Sequence, residues 1–125
     1  MADIDPLLEL MEKLRDKDKG CPWDIKQDHN SIAHCSIEEA YELVAAITKN
    51  DQENIKEELG DILLQVIFHS QIAKENNAFD FNDVVEVLSK KLITRHPNVF
   101  DPNFDLKISA DAVSYTHLTL PTRSY

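Results

Sequence analysis

Two clusters of carboxylates, Glu38-Glu39-x-x-Glu42 and Glu57-Glu58-x-x-Asp61, sit inside sequence that is otherwise apolar at helical spacing. Residues three or four apart on a helix share a face, with Cβ atoms roughly 5–6 Å apart. Glu39 and Glu42 therefore point the same way from one helix, and Glu58 and Asp61 do so from the next. Glu38 falls at the edge of the first pair's face. "TKNDQEN" between them reads as a turn, so the two helices are expected to be antiparallel, with both pairs at similar heights above it. Four carboxylates then converge. Like charges at such range raise one another's pKa, and the neighbouring apolar residues Leu43, Ala46, Ile62 and Ile72 raise the cost of unpaired charge. No lysine or arginine occurs between Lys26 and Lys49 to neutralise them. A divalent cation resolves the conflict, and all-oxygen ligation suits a hard ion such as Mg²⁺ or Mn²⁺. The competing reading of the same residues is a pair of solvated helix faces, balanced by surface lysines.

The elements that must position these acids can be read from apolar spacing. Ile4, Leu7, Leu8, Met11 and Leu14 predict a first helix from about residue 3 to the charged "RDKDKG". A loop, "GCPWDIKQDHN", follows. Ser36, three residues before Glu39, has capping-box spacing, although Ser31 is a second possible start. The second helix then presents Ile37, Ala40, Tyr41, Val44 and Ile47 along one side. A third helix starts near Asp51 and is apolar nearly all round between Ile62 and Phe68, interrupted by Gln65, which predicts burial on more than one side. Such a helix is central to a bundle or crosses a dimer interface. Asp80 or Asn82 can cap a fourth helix, "VVEVLSKKLITR", which His96-Pro97 ends.

Composition narrows the function classes. The 125 residues make one domain with room for a single core. With 42% apolar and 29% charged residues and only two glycines, the expectation is a soluble all-α fold. A formal charge of −10 disfavours a nucleic-acid polymer or an anionic membrane as partner. It leaves room for a small phosphorylated ligand accompanied by divalent cations. No apolar run is long enough for a bilayer, and "MADIDPLLEL" lacks the features of a signal peptide, so a cytoplasmic protein is expected. Cys21 and Cys35, with His29 and His34 nearby, match none of the common zinc spacings and read as free thiols. His69 reads as a hydrogen-bonded interior histidine and Trp23 as a pin for the loop. No glycine-rich phosphate loop is present.

In order and spacing, "GCPWD", "EEAYE", "EELGDILLQV" and "KKLITRHPNVF" resemble the MazG-type nucleoside triphosphate pyrophosphohydrolases, over residues 3 to about 101. The resemblance implies a four-helix, bundle-like, all-α domain that forms a homodimer through the long third helix. It implies Mg²⁺ held by Glu39, Glu42, Glu58 and Asp61, and a nucleoside triphosphate hydrolysed to nucleoside monophosphate and pyrophosphate in nucleotide-pool housecleaning. Glu38, beside the ligands, is the candidate to orient or deprotonate the attacking water, or to hold a second ion. Lys91 and Arg95, four apart on the fourth helix, match the family's basic pair and are candidates to clamp phosphate. Their other role is to complement the helix dipole.

His34 and Cys35 stand where family members often carry proline and tyrosine. Residues 1–101 form the expected domain, and "DPNFDLKISADA" (101–112) reads as a linker or shortened tail. The final "VSYTHLTLPTRSY" resembles one reading frame of a transposon-end sequencing adapter and is expected to be non-native. The family usually continues past "HPNVF", so the chain reads as the N-terminal repeat of a longer enzyme. The alternative to an active hydrolase is a catalytically weak repeat that serves dimerisation or regulation.

Overall fold

The computed structural model describes residues 3–100, and these are helical with no strand among them. Five helices follow in order: α1 (Asp5–Leu14), α2 (Pro22–Ile25), α3 (His29–Thr48), α4 (Gln52–Glu75) and α5 (Phe81–Arg95). The expected second, third and fourth helices are α3, α4 and α5. The expected loop contains the short α2. The expected linker beyond 101 and the adapter-like tail lie outside the described residues. Two compact units divide the chain, one ending at Phe81 and the other beginning at Asn82.

Local signals explain the boundaries. Asp51 caps α4 by accepting from the Asn54 amide at 3.1 Å, as expected of an Asp at a helix start. The start of α3 differs from the Ser36 expectation. Asp28 accepts from the Ser31 amide at 2.8 Å while the Ser31 hydroxyl accepts from the Asp28 amide at 2.9 Å, a complete capping box about two turns earlier. Ile32, 2% exposed, anchors this added segment in the core. Both long helices end with an asparagine in the left-handed region, Asn50 at φ 54° and Asn77 at φ 59°. The next amides bond back across the final turn, Asp51 to Ala46 O at 3.2 Å and Ala78 to Ala73 O at 2.9 Å. This is the Schellman arrangement, which asparagine tolerates.

The core of the first unit joins Met11 of α1, Ile32 of α3 and Ile67, Phe68 and Ile72 of α4, with Ile4, Leu8, Cys35 and Phe81 packed around it. Helix α1 thus covers the far half of α4, while α3 runs back along α4. Arg15 ties the α1–α3 connection to this core. It makes a two-pronged ion pair with Glu75, at 2.8 and 2.9 Å, and donates to the carbonyls of Asp24 and Gln27 at 2.6 and 3.0 Å. Its guanidinium lies 5.6 Å from the Phe68 ring centroid. Trp23 meets the same ring edge-to-face at 6.4 Å, so the tryptophan does pin the loop, although 58% of it stays exposed.

Gly20 closes this connection. Its amide donates to Asp16 O at 2.8 Å, and a Cβ there would collide with the backbone carbonyls of Leu14 and Asp16. Backbone cannot yield as a side-chain tip does. Gly20→Ala is therefore expected to destabilise the domain by about 1–3 kcal/mol, read as a lower denaturant midpoint with an unchanged m-value.

The apolar side expected for α3 is not the side that packs on α4. Ile37, Tyr41, Val44 and Ile47 are 55–72% exposed. The inward positions are Ile32, Cys35, Glu39, Leu43 and Ala46, each buried or half-buried. On α4, Leu59, Leu63, Leu64 and Val66 are 37–52% exposed, so a single chain leaves the all-round apolar stretch only partly covered. Among the described residues no helix is long and apolar enough to cross a membrane.

Candidate metal centre

Helix α3 turns Glu39 inward, and α4 turns Glu58 towards it. Single carboxylate oxygens from Glu39, Glu58 and Asp61 all lie within 4.8 Å of one another. The two half-buried acids, Glu39 and Glu58, face Asp61 at the solvent edge. Glu42 remains outside this trio, for a geometric reason. Helix α3 is rotated so that Glu39, Leu43 and Ala46 face α4, and Glu42, roughly 60° round from Glu39, is left exposed beside them. Glu42 is still near enough to act on Glu58.

Electrostatics mark the trio as incomplete. The Glu58 carboxyl is pushed above its ordinary value, first by burial against the helix pair and then by a hydrogen bond shared with Asp61. The charges of Glu39, Asp61 and Glu42 add to the rise. Glu39 Oε2 is buried and accepts no hydrogen bond. A buried carboxylate oxygen without a donor is costly, and a cation removes the cost. The donor set is all oxygen, as a hard divalent ion prefers. Opposite ligands of Mg²⁺ stand about 4.2 Å apart, twice the metal–oxygen distance, so small side-chain adjustments from the observed spacing suffice. The residues fit the ion.

The remaining candidates are placed as follows. Glu38 is on the outer side of α3 with its side chain 68% exposed, 3.8 Å from His34 Nε2. Lys91 and Arg95 belong to α5, one turn apart and both half-buried. His69 is hydrogen-bonded, as expected, and its partner is His29, with the two Nδ1 atoms 2.7 Å apart and the rings stacked at 5.0 Å. Burial, then the neighbouring His29, lowers the His69 pKa, favouring the neutral ring. Cys21 and Cys35 are free thiols. His96 Nδ1 lies 2.7 Å from Leu92 O at the end of α5.

An α3–α4 pair with carboxylates converging across it defines an all-helical domain with an acid-lined candidate metal centre. Residues 27–100 match the MazG nucleotide pyrophosphohydrolase domain, and the chain belongs to that family. It is 50% identical over 106 residues to the nucleoside triphosphate pyrophosphohydrolase/pyrophosphatase MazG of Thermotoga maritima, covering 83% of this chain and 41% of the relative. It is 48% identical over 100 residues to the nucleoside triphosphate pyrophosphohydrolase of Escherichia coli K12, covering 80% and 38%. The Mycobacterium tuberculosis enzyme of the same name is 40% identical over 92 residues, covering 72% and 27%. The chain thus spans about two-fifths or less of the length of these relatives.

Proposed function

We propose that this domain hydrolyses nucleoside triphosphates to nucleoside monophosphate and pyrophosphate, with Mg²⁺ or Mn²⁺ as cofactor, in cytoplasmic nucleotide-pool housecleaning. The observation that carries the reading is the Glu39–Glu58–Asp61 trio with its buried, unpartnered Glu39 oxygen. Glu39, Glu58 and Asp61 hold the ion, and Glu42 joins them by a rotamer change on the same helix. Bound there, Mg²⁺ supplies positive charge to the phosphate oxygens.

The protein's own groups do the rest. Glu38 orients the attacking water and takes its proton as the water oxygen bonds to the α-phosphorus and the bond from that phosphorus to the α–β bridging oxygen breaks. Its exposed position leaves it free to swing toward the substrate. Lys91 and Arg95 present cationic donors one helical turn apart, a spacing suited to phosphate oxygens. The leaving pyrophosphate carries away the electron pair of the broken P–O bond.

The active form is a homodimer. Ile37, Tyr41 and Val44 on α3 and Leu59, Leu63 and Val66 on α4 form exposed apolar stripes of a kind that marks a protein interface. Next to Leu59 on α4, a Cβ added at Gly60 would meet nothing within 4 Å. Mid-helix glycine costs about 1 kcal/mol relative to alanine, and a closely approaching second copy is a reason to keep it. Sedimentation should give twice the mass of one chain for the parent, and Val44→Glu with Leu63→Glu should give a folded monomer. A monomeric parent would refute the dimer.

The catalytic reading is tested by incubating the folded domain with mixed nucleoside triphosphates and Mg²⁺ and measuring pyrophosphate against orthophosphate. Pyrophosphate and monophosphate in equal amounts, abolished by chelation, support it. No metal-dependent pyrophosphate leaves the dimerising, regulatory repeat.

A further inference from the structure

We infer that the cavity between α3 and α4, one turn beyond the carboxylates, is a nucleobase subsite in which the Gln65 side-chain amide reads the hydrogen-bonding edge of the base. The inference rests on the hydrolase reading above and adds to it the group that selects the substrate.

The cavity, about 210 Å³, is lined by Ser36 and Ala40 of α3 and by Ile62, Gln65, Val66 and His69 of α4. Sites for whole drug-sized ligands run from roughly 300 to 1,000 Å³. This one therefore suits a single ring system, with the rest of the ligand outside. Its position says where the rest would lie. Gln65 and His69 follow Asp61 by four and eight residues, roughly 6 and 12 Å along the helix axis. On the antiparallel α3, Ser36 precedes Glu39 by one turn. Both helices thus carry the cavity away from the α3–α4 turn and away from the trio. A triphosphate held at the carboxylates has its sugar next and its base one step further along this line.

The lining chemistry fits a flat heterocycle. Ala40, Ile62 and Val66 offer apolar surface for ring faces, while Ser36, Gln65 and His69 supply the polar groups. Gln65 Oε1 is buried and has no hydrogen-bond partner in the protein. An acceptor left in that state costs free energy that a ligand N–H recovers. The amide sets a donor beside its acceptor, and a half-turn exchanges the two. That pairing matches base edges such as the adjacent amino donor and ring-nitrogen acceptor of adenine. His69, stacked on His29 and bonded to it, is a fixed wall. Gln65 lies in the same apolar run as Ile67 and Phe68, where a leucine would pack as well, so its polarity serves something other than the core.

The test is calorimetric binding in Mg²⁺ of the α,β-methylene analogues of ATP, GTP, CTP and UTP, with inorganic tripolyphosphate as the base-free probe. The parent is expected to bind at least one nucleotide about tenfold or more tightly than tripolyphosphate and to rank the four bases. Gln65→Leu should compress that ranking to within about threefold while leaving tripolyphosphate affinity unchanged. Ala40→Leu, which fills the cavity from the opposite helix, should weaken the nucleotides about tenfold and spare tripolyphosphate. A ranking that survives Gln65→Leu, or nucleotides unaffected by Ala40→Leu, overturns the subsite. A parent that binds tripolyphosphate as well as nucleotides also overturns it, and leaves the hydrolase reading intact. Failure to bind any of the five probes removes both.

Discussion

Glu39→Gln and Asp61→Asn are each expected to lower kcat/KM for Mg²⁺-dependent pyrophosphate release by roughly 10³-fold or more, with the helical content of the protein unchanged. Removing one preorganised electrostatic group commonly costs 10²–10³ in rate, and in the proposed mechanism the lost group would be a ligand of the ion itself. The stability readout separates catalysis from architecture. In the metal-free protein the Glu58 carboxyl is pushed above its ordinary value, first by burial, then by its hydrogen bond with Asp61, with the charges of Glu39, Asp61 and Glu42 adding to the rise, so its charged form is disfavoured in the fold. Neutralising Glu39, Glu58 or Asp61 should therefore leave the metal-free melting temperature equal to the parent's or higher. The sign for Glu58 follows from that shift. A carboxyl raised above its unfolded value of 4.5 stabilises the fold most below that value, and the benefit is lost as pH rises through the folded value. Saturating Mg²⁺ or Mn²⁺ should reverse the loss, because an ion bound only by the folded state adds about 2.7 kcal/mol at a hundred times its Kd. In each variant the metal-induced rise in melting temperature should shrink or vanish. A variant that unfolds without metal would make the acid structural, and unaltered metal stabilisation would remove it from the ligand set.

Much of this centre was legible before any coordinates. Its acids stand at helical spacing on both sides of a short turn, and convergence across an antiparallel pair is a consequence of geometry alone. What periodicity could not supply was the rotation of each helix. An apolar stripe such as Ile37, Tyr41 and Val44 reads as a core face, yet α3 turns it outward and packs Glu39 and Leu43 on α4 instead. Hydrophobicity says that a stripe must be covered and is silent on whether the same chain or a second copy covers it. That rotation also separates Glu42 from the trio. The early start of α3 was hidden because His29 and Asn30 are weak helix formers. The Asp28–Ser31 box and the burial of Ile32 outweigh them. The His29–His69 pair spans 40 positions and has no local signature. Gln65 did leave one, as the sole polar residue inside the run from Ile62 to Phe68.

The second large effect belongs to Arg15, a residue that no spacing argument picked out. Its side chain is 7% exposed and meets Glu75, two loop carbonyls and the Phe68 ring together. Alanine there would remove a two-pronged charged pair, take the side-chain donor from the Gln27 carbonyl, leave the Asp24 carbonyl with only the Gln27 amide at 3.3 Å, and release the α2 connection from α4. Breaking a buried pair by deleting one partner costs about 3–5 kcal/mol. Solvent reaches Glu75, whose side chain is 35% exposed, so about 2–4 kcal/mol is expected. That corresponds to a melting temperature lower by roughly 10–20 °C for a domain of this size. The pH dependence follows from Glu75, whose pKa lies below its ordinary 4.5, chiefly through the hydrogen bonds from Arg15. A depressed carboxyl contributes stability above its unfolded pKa and loses it as pH falls through the folded value. The parent should therefore lose stability on acidification below about pH 4.5 more steeply than Glu75→Gln, measured by urea midpoints at each pH. Arg15→Lys separates the charge from its geometry. A lysine keeps the charge but cannot reach both Glu75 oxygens and both carbonyls at once, so it should recover only part of the loss. Full recovery by lysine would mean that charge alone, and not the four-bond clamp, holds the α1–α3 connection on α4.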